Sequence, residues 1–135
     1  MKQEVTKRLP VRKAKAVRDN YKCSVIATLK IFATKWKPCI ICYLLDAPLR
    51  YNELYRIIPN ISRKILSEHL KELERDEIII RTQYDPKGQH VEYALSEKGR
   101  SLLIILEQLQ DWGLKNLGNV VSMKEMLSNL KQDAV

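Results

Sequence analysis

The spacing of apolar positions along this 135-residue chain predicts several helices, then a hairpin, then a long helix. Residues 1–20 are weakly patterned, and Leu9, Val11, Ala14, Ala16 and Val17 allow at most a short helix. Val25, Ile26, Leu29 and Phe32 form the stripe of a helix from Val25 to Ala33, with Ser24 as its expected cap. Thr34 to Lys37 breaks the pattern. Pro38 suits the first turn of a second helix, where a missing N–H costs nothing. The run Cys39 to Leu45 is apolar nearly all round, as in a buried helix, and Asp46-Ala47-Pro48 ends it. After a short extended Leu49-Arg50, a third helix begins near Asn52 with Leu54, Ile57 and Ile58 on one face, and Pro59-Asn60 stops it. Ser62 reads as the cap of a fourth helix, Arg63 to about Asp76. Ile78 to Tyr84 and Val91 to Leu95 read as strands around the turn residues Asp85 to Gln89. Ser96 caps a long helix from Glu97 to about Leu117, which Gly118 closes, and a short helix from about Met123 to Lys131 follows.

Two helices joined by a short turn form a helix-turn-helix. A hairpin directly after it makes the winged-helix arrangement. The expected fold is therefore mainly α with a small β-hairpin (α+β), a winged helix-turn-helix. At 100° per residue, Ile65, Leu66, Leu70 and Leu73 of the fourth helix fall within about 0–140°, and Lys64, Ser67, Glu68, Lys71 and Arg75 within about 200–300°. The outward face is polar and mostly basic. A recognition helix in the major groove needs such a face, because Arg and Lys donate to guanine, Ser serves either base and Glu accepts from a cytosine amino group. Ser62, Arg63, Lys64, Ser67, Glu68 and Lys71 are the candidate DNA contacts. Lys87 at the hairpin tip and Arg81 at its base are candidates for the DNA backbone or minor groove. A solvated amphipathic helix is the bland alternative, and the adjoining hairpin argues against it.

Charge shifts part of the binding task elsewhere. Residues 1–22 carry eight Lys or Arg against Glu4 and Asp19, a net +6, which leaves +2 of the total +8 for the rest of the chain. A basic arm suits a polyanion, although such a tail also serves solubility. The domain layout reads as a basic arm (1–22), a DNA-binding domain with its dimerisation helix (23–118) and a C-terminal helical extension (119–135). No run of roughly 18 apolar residues predicts a membrane span, and the start Met1-Lys2-Gln3-Glu4 has no secretory pattern. The cytoplasm is the expected compartment.

Several segments occur together, in order: Cys23-Ser24-Val25, Lys35-Trp36-Lys37-Pro38, Leu49-Arg50-Tyr51-Asn52-Glu53-Leu54, Ile61-Ser62-Arg63-Lys64-Ile65-Leu66, Leu70-Lys71-Glu72-Leu73-Glu74, Val91 to Gly99 and Trp112-Gly113. Over about two thirds of the chain this resembles the HxlR-type winged-helix transcription regulators, relatives of the MarR group. The resemblance implies a homodimer on inverted-repeat operator DNA and control of transcription. This chain departs from the pattern at Ser24 (often Pro), at Ala33-Thr34 (often Gly-Gly) and at Asp76-Glu77 (usually Asp-Gly), where the entry to the wing could be stiffened or shifted. The apolar residues Leu102, Leu103, Ile105, Leu106, Leu109, Trp112 and Leu117 make a face wider than one small domain needs. The resemblance assigns part of it to a partner subunit, which implies a winged helix-turn-helix dimerising through terminal helices.

Three cysteines without a signal segment argue for reduced thiols rather than a disulfide scaffold. Cys23 stands at a helix start beside Lys22, and both features favour a reactive thiolate. The resemblance implies more, since several relatives sense electrophiles or oxidants at this position: Cys23 is a candidate redox sensor, with a small molecule or oxidant as the candidate effector. Cys39 and Cys42 have C-x-x-C spacing, but their apolar surroundings read as core. No second cysteine pair accompanies them for zinc, and His69 and His90 lie elsewhere. His69 reads as a packed or capping residue. Without a Gly-rich phosphate loop or a Gly-x-Ser-x-Gly motif, neither an enzyme nor a cofactor is expected. The other non-enzymatic reading is a winged-helix module that binds protein instead of DNA, which an acidic or apolar fourth-helix face would have favoured.

Overall fold

The computed structural model describes residues 22–133. The basic arm up to residue 21, with its suggested short helix, lies outside them. The chain divides between Phe32 and Ala33 into two units.

In the first unit, α1 spans Ser24–Phe32. Ser24 is its first helical residue rather than its cap, because the Cys23 carbonyl already accepts the N–H of Ala27 at 2.9 Å. Cys23 therefore stands at the cap position. Thr28 Oγ1 donates to the Ser24 carbonyl at 2.7 Å. Val25, Ile26 and Leu29 of α1 are exposed.

The second unit contains α2 (Lys37–Tyr43), α3 (Tyr51–Ile57), α4 (Arg63–Arg75), β1 (Ile79–Gln83), β2 (Val91–Leu95), α5 (Glu97–Asn116) and α6 (Met123–Asp133). Helix α2 begins earlier than the pattern suggested. Thr34 Oγ1 accepts the Lys37 N–H at 3.1 Å, and Pro38 occupies the first turn. It also ends earlier, at Tyr43, where Leu44 turns back to donate to the Ile40 carbonyl.

Ile40, Ile41 and Leu44 from the α2 segment, Leu54 from α3 and Ile58 just after it, Leu66, Leu70 and Leu73 from α4, and Ile78 and Ile79 are almost fully buried. At roughly 1.5–3 kcal/mol per buried aliphatic side chain, this cluster holds the helices together. The hairpin is antiparallel, with Ile79 opposite Leu95 and Gln83 opposite Val91. Leu49 adds a bridge to Tyr93, with N–H to carbonyl bonds of 2.9 and 2.8 Å in the two directions. The wing is thereby tied to the segment that enters α3.

The link from α4 to β1 is a closed helix end. Ile78 N donates to the Leu73 carbonyl (2.9 Å) and Glu77 N to that of Glu74 (3.0 Å), the Schellman pattern. Glu77 takes φ 62° to allow it, so the turn keeps its form without the family's usual glycine. Ser96 caps α5 by accepting from Gly99 N at 2.9 Å, and its hydroxyl faces the carbonyls of Glu77 (2.6 Å) and Ile78 (3.0 Å). Gly99 is needed here, since a Cβ would lie 2.2 Å from the Ile78 carbonyl oxygen.

Helix α5 ends at Asn116, before Gly118, because Leu117 is already extended with its N–H on the Gly113 carbonyl. The left-handed residue that follows is Asn119 (φ 58°), not the glycine. Among the described residues, no helix is long and apolar enough to cross a membrane.

Candidate nucleic-acid interface

The face of α4 away from the core carries the chain's candidate chemistry. Ser62 accepts the Ile65 N–H at 3.1 Å, as a cap should, so one of its oxygen lone pairs is committed to the helix. Arg63, Lys64, Glu68 and Lys71 are exposed on α4. Ser67 is only half-buried rather than fully outward, since its hydroxyl meets the Tyr51 hydroxyl at 3.1 Å.

Arg63 has aromatic support. Its guanidinium lies 4.1 Å from the Tyr55 ring centroid and 5.8 Å from that of Tyr51. An Arg stacked on a ring keeps its planar edge free for two parallel N–H bonds. The Tyr51 hydroxyl also donates to the Arg63 carbonyl at 3.1 Å. Tyr51 and Tyr55 thus fix the first turn of α4 from α3, and neither figured among the candidates from sequence. Their signal was present: two tyrosines four residues apart share a helix face.

The wing is braced at its tip. The Asp85 carboxylate accepts from Gln89 N and His90 N, both at 3.0 Å. These backbone N–H groups hold its carboxyl below the usual carboxylate range. Gly88 takes φ 70°. Arg50 donates to the Gln89 carbonyl at 2.9 Å, so the entry to α3 holds the wing. Lys87 is exposed in this turn. Arg81 is exposed too, but it lies in the middle of β1 opposite Tyr93 rather than at the hairpin base.

The inner side of α4 carries an ion pair whose lysine is buried. Lys37 Nζ lies 2.9 Å from Glu72 Oε2, with the Lys37 side chain 2% exposed and that of Glu72 41%. Hydrogen bonding from Lys37 holds the Glu72 carboxyl below its ordinary range. His69 is beside it with a buried Nδ1 that has no hydrogen-bond partner, the 3.9 Å to Glu72 Oε1 being too long for one. Packed rather than capping, it is held below the ordinary histidine range by burial and by Lys37, which outweigh Glu72 and Glu68.

The thiols divide clearly. Cys23 is exposed and Cys39 buried. Burial pushes both core thiols up, and Cys42, with Cys39 nearby, reaches about 11. A cleft of about 520 Å³ between α2, α5 and α6 is lined by Cys42, Leu45, Leu103, Leu106, Met123 and Leu127, among others.

Residues 31–121 match the family described as HxlR-like helix-turn-helix. The HTH-type transcriptional regulator YtcD of Bacillus subtilis is 44% identical over 103 residues, 76% of this chain and 82% of that one. Among solved structures, the redox regulator HypR in its reduced form superposes with a TM-score of 0.64 at 38% identity, over 70% of this chain and 93% of that one. The reduced form of the regulator YodB from B. subtilis gives 0.66 at 33% identity, over 74% and 99%. YodB is also known in diamide-treated and quinone-bound forms. With its capped α4, its adjoining two-stranded wing and these relatives, the chain belongs to the HxlR-like helix-turn-helix family of transcriptional regulators.

Proposed function

We propose that the protein is a non-enzymatic, homodimeric regulator that binds inverted-repeat operator DNA, with one α4 per subunit in the major groove and the wing against the backbone or minor groove. The observation that carries this reading is the exposed set Arg63, Lys64, Glu68 and Lys71 on a capped helix whose first turn is braced by α3. Direct readout asks for side chains such as Lys64, Glu68 and Lys71 on the groove side of a rigid helix, and Arg63 over α3 suits a phosphate. Lys87 and Arg81 supply backbone contacts from the wing, and the basic arm adds non-specific attraction in the cytoplasm. Dimerisation is supported by Ile104, Leu109, Trp112 and Leu117, which α5 and its end leave 50–66% exposed while Leu102 and Leu106 of the same helix are buried. A monomer has little reason to expose that much apolar surface.

Binding to the chain's own upstream region, followed by fluorescence anisotropy between 50 and 200 mM salt, tests the reading. Affinity should fall steeply, by orders of magnitude for roughly six or more phosphate contacts. A flat response, or equal affinity for unrelated DNA, overturns it and favours a protein-binding module.

The effector reading places a regulatory thiol at Cys23. Its exposure and its cap position on α1 support this, as do the similar redox regulator HypR and the diamide-treated form of YodB. An alkylating reagent at pH 8 should modify one thiol per native chain and three in urea, because burial raises Cys39 and Cys42. If Cys23→Ser and wild type lose DNA binding together under diamide, Cys23 is not the sensor.

A further inference from the structure

The Tyr51 hydroxyl lies 3.1 Å from the Arg63 carbonyl oxygen and 3.1 Å from Ser67 Oγ. A phenol has a single proton, and a carbonyl can only accept. Both contacts are hydrogen bonds at once only when the Tyr51 proton goes to Arg63. The Tyr51–Ser67 bond can then form only if Ser67 donates to the phenol oxygen. Serine too has a single hydroxyl proton, and here it is used towards α3. What Ser67 retains for an outside partner is lone pairs.

We propose that Tyr51 sets the hydrogen-bond polarity of Ser67 and makes it an acceptor-only reader. This rests on the reading of α4 as the major-groove helix. A serine is ordinarily ambiguous there, because it can donate to guanine O6 or N7 and to thymine O4, or accept from the amino groups of adenine and cytosine. With its proton committed, Ser67 favours a base that presents an amino group, adenine N6 or cytosine N4. It opposes the all-acceptor edges of guanine and thymine with its own lone pairs. The arrangement gives α4 two adjacent acceptors, Ser67 and the exposed Glu68 carboxylate, between the donors Lys64 and Lys71. Tyr51 acts here as a positioning residue: it touches no base, yet it decides what one position of the site can be.

The test is selection of bound duplexes from a pool with 20 randomised base pairs, using the full chain as wild type, Tyr51→Phe and Ser67→Ala. In the wild type, one position of each half-site should prefer adenine or cytosine on the contacted strand, by roughly five- to tenfold over guanine or thymine. Tyr51→Phe keeps the ring and frees the serine proton, so all four bases should become nearly equal at that position. Ser67→Ala should abolish the same preference, and the remaining positions and the salt dependence should not change. An unaltered preference in Tyr51→Phe overturns the proposal, and so does a Ser67→Ala profile identical to wild type. A wild type that enriches no sequence overturns the major-groove reading itself. Thermal melting of each variant shows whether it is folded, and if Tyr51→Phe is not, the Ser67→Ala profile decides alone.

Discussion

Lys37 at the start of α2 and Glu72 on the inner side of α4 form an ion pair of 2.9 Å in which the lysine is almost fully enclosed and the glutamate still meets water. The asymmetry sets the consequences of breaking it. Glu72→Ala strands a buried ammonium group and should cost about 3 kcal/mol, the low end of the range for a broken buried pair because water reaches the site. Lys37→Met leaves a carboxylate that can hydrate, and should cost about 1 kcal/mol or less. Urea melts of both variants and of the double variant measure the difference. Equal losses in the two single variants would contradict it.

His69 gives stability a pH dependence. Burial and Lys37 lower its folded-state value from the ordinary 6.5. The unfolded chain thus takes up the proton first as pH falls. The stability contribution is fully present above about 6.5 and declines below it, by at most about 1.4 kcal/mol per pH unit for one group. Glu72 and Glu68 partly oppose the shift. His69→Leu should flatten the melting temperature profile between pH 6.5 and 5, and a profile as steep as wild type would assign the effect to other groups.

Gly99→Ala should be among the most damaging single-methyl changes in the chain. The added carbon would meet the Ile78 carbonyl oxygen at 2.2 Å, and backbone cannot swing aside as a side chain can. A loss of about 3 kcal/mol is expected, the upper part of the range for overpacking. Chemical denaturation measures it, and a loss below about 1 kcal/mol would mean that the start of α5 yields easily.

Glu77→Gly should do the opposite. A left-handed φ of 62° is costly for any residue with a Cβ. Glycine removes that strain but adds freedom to the unfolded chain, so the expected net gain is about 0.5–1 kcal/mol. The exposed Lys98–Glu77 contact of 3.7 Å contributes little to set against it. A lower melting temperature in the variant would refute this account.

Arg63 leans over α3, whose counterpart in helix-turn-helix proteins crosses the DNA backbone. Phosphate contact predicts that Arg63→Ala weakens all sequences alike and lowers the salt slope by about 0.9. Lys64→Ala and Lys71→Ala should instead lose affinity mainly at the specific site. Competition binding with specific and unrelated duplexes separates the two patterns.

Most of the architecture is legible in the sequence because it depends on local rules. The period of Leu66, Leu70 and Leu73, the caps Ser62 and Ser96, and the turn chemistry of Asp85 to Gln89 each act within a few residues. Element ends were less legible. Cys23 rather than Ser24, Tyr43 rather than Leu45 and Asn116 rather than Leu117 are set by which carbonyl the next N–H finds, and several residue types tolerate each place.

What only the tertiary structure decided are the pairings between distant segments. The sequence shows Lys37 as a polar residue in a pattern break, and only packing against α4 brings it to Glu72, thirty-five residues on. Likewise it offers Ser67 as one hydroxyl on an outward face. The crossing of α3 and α4 places Tyr51 beside it, and a hydrogen bond between helices, invisible to any period along one of them, commits its proton.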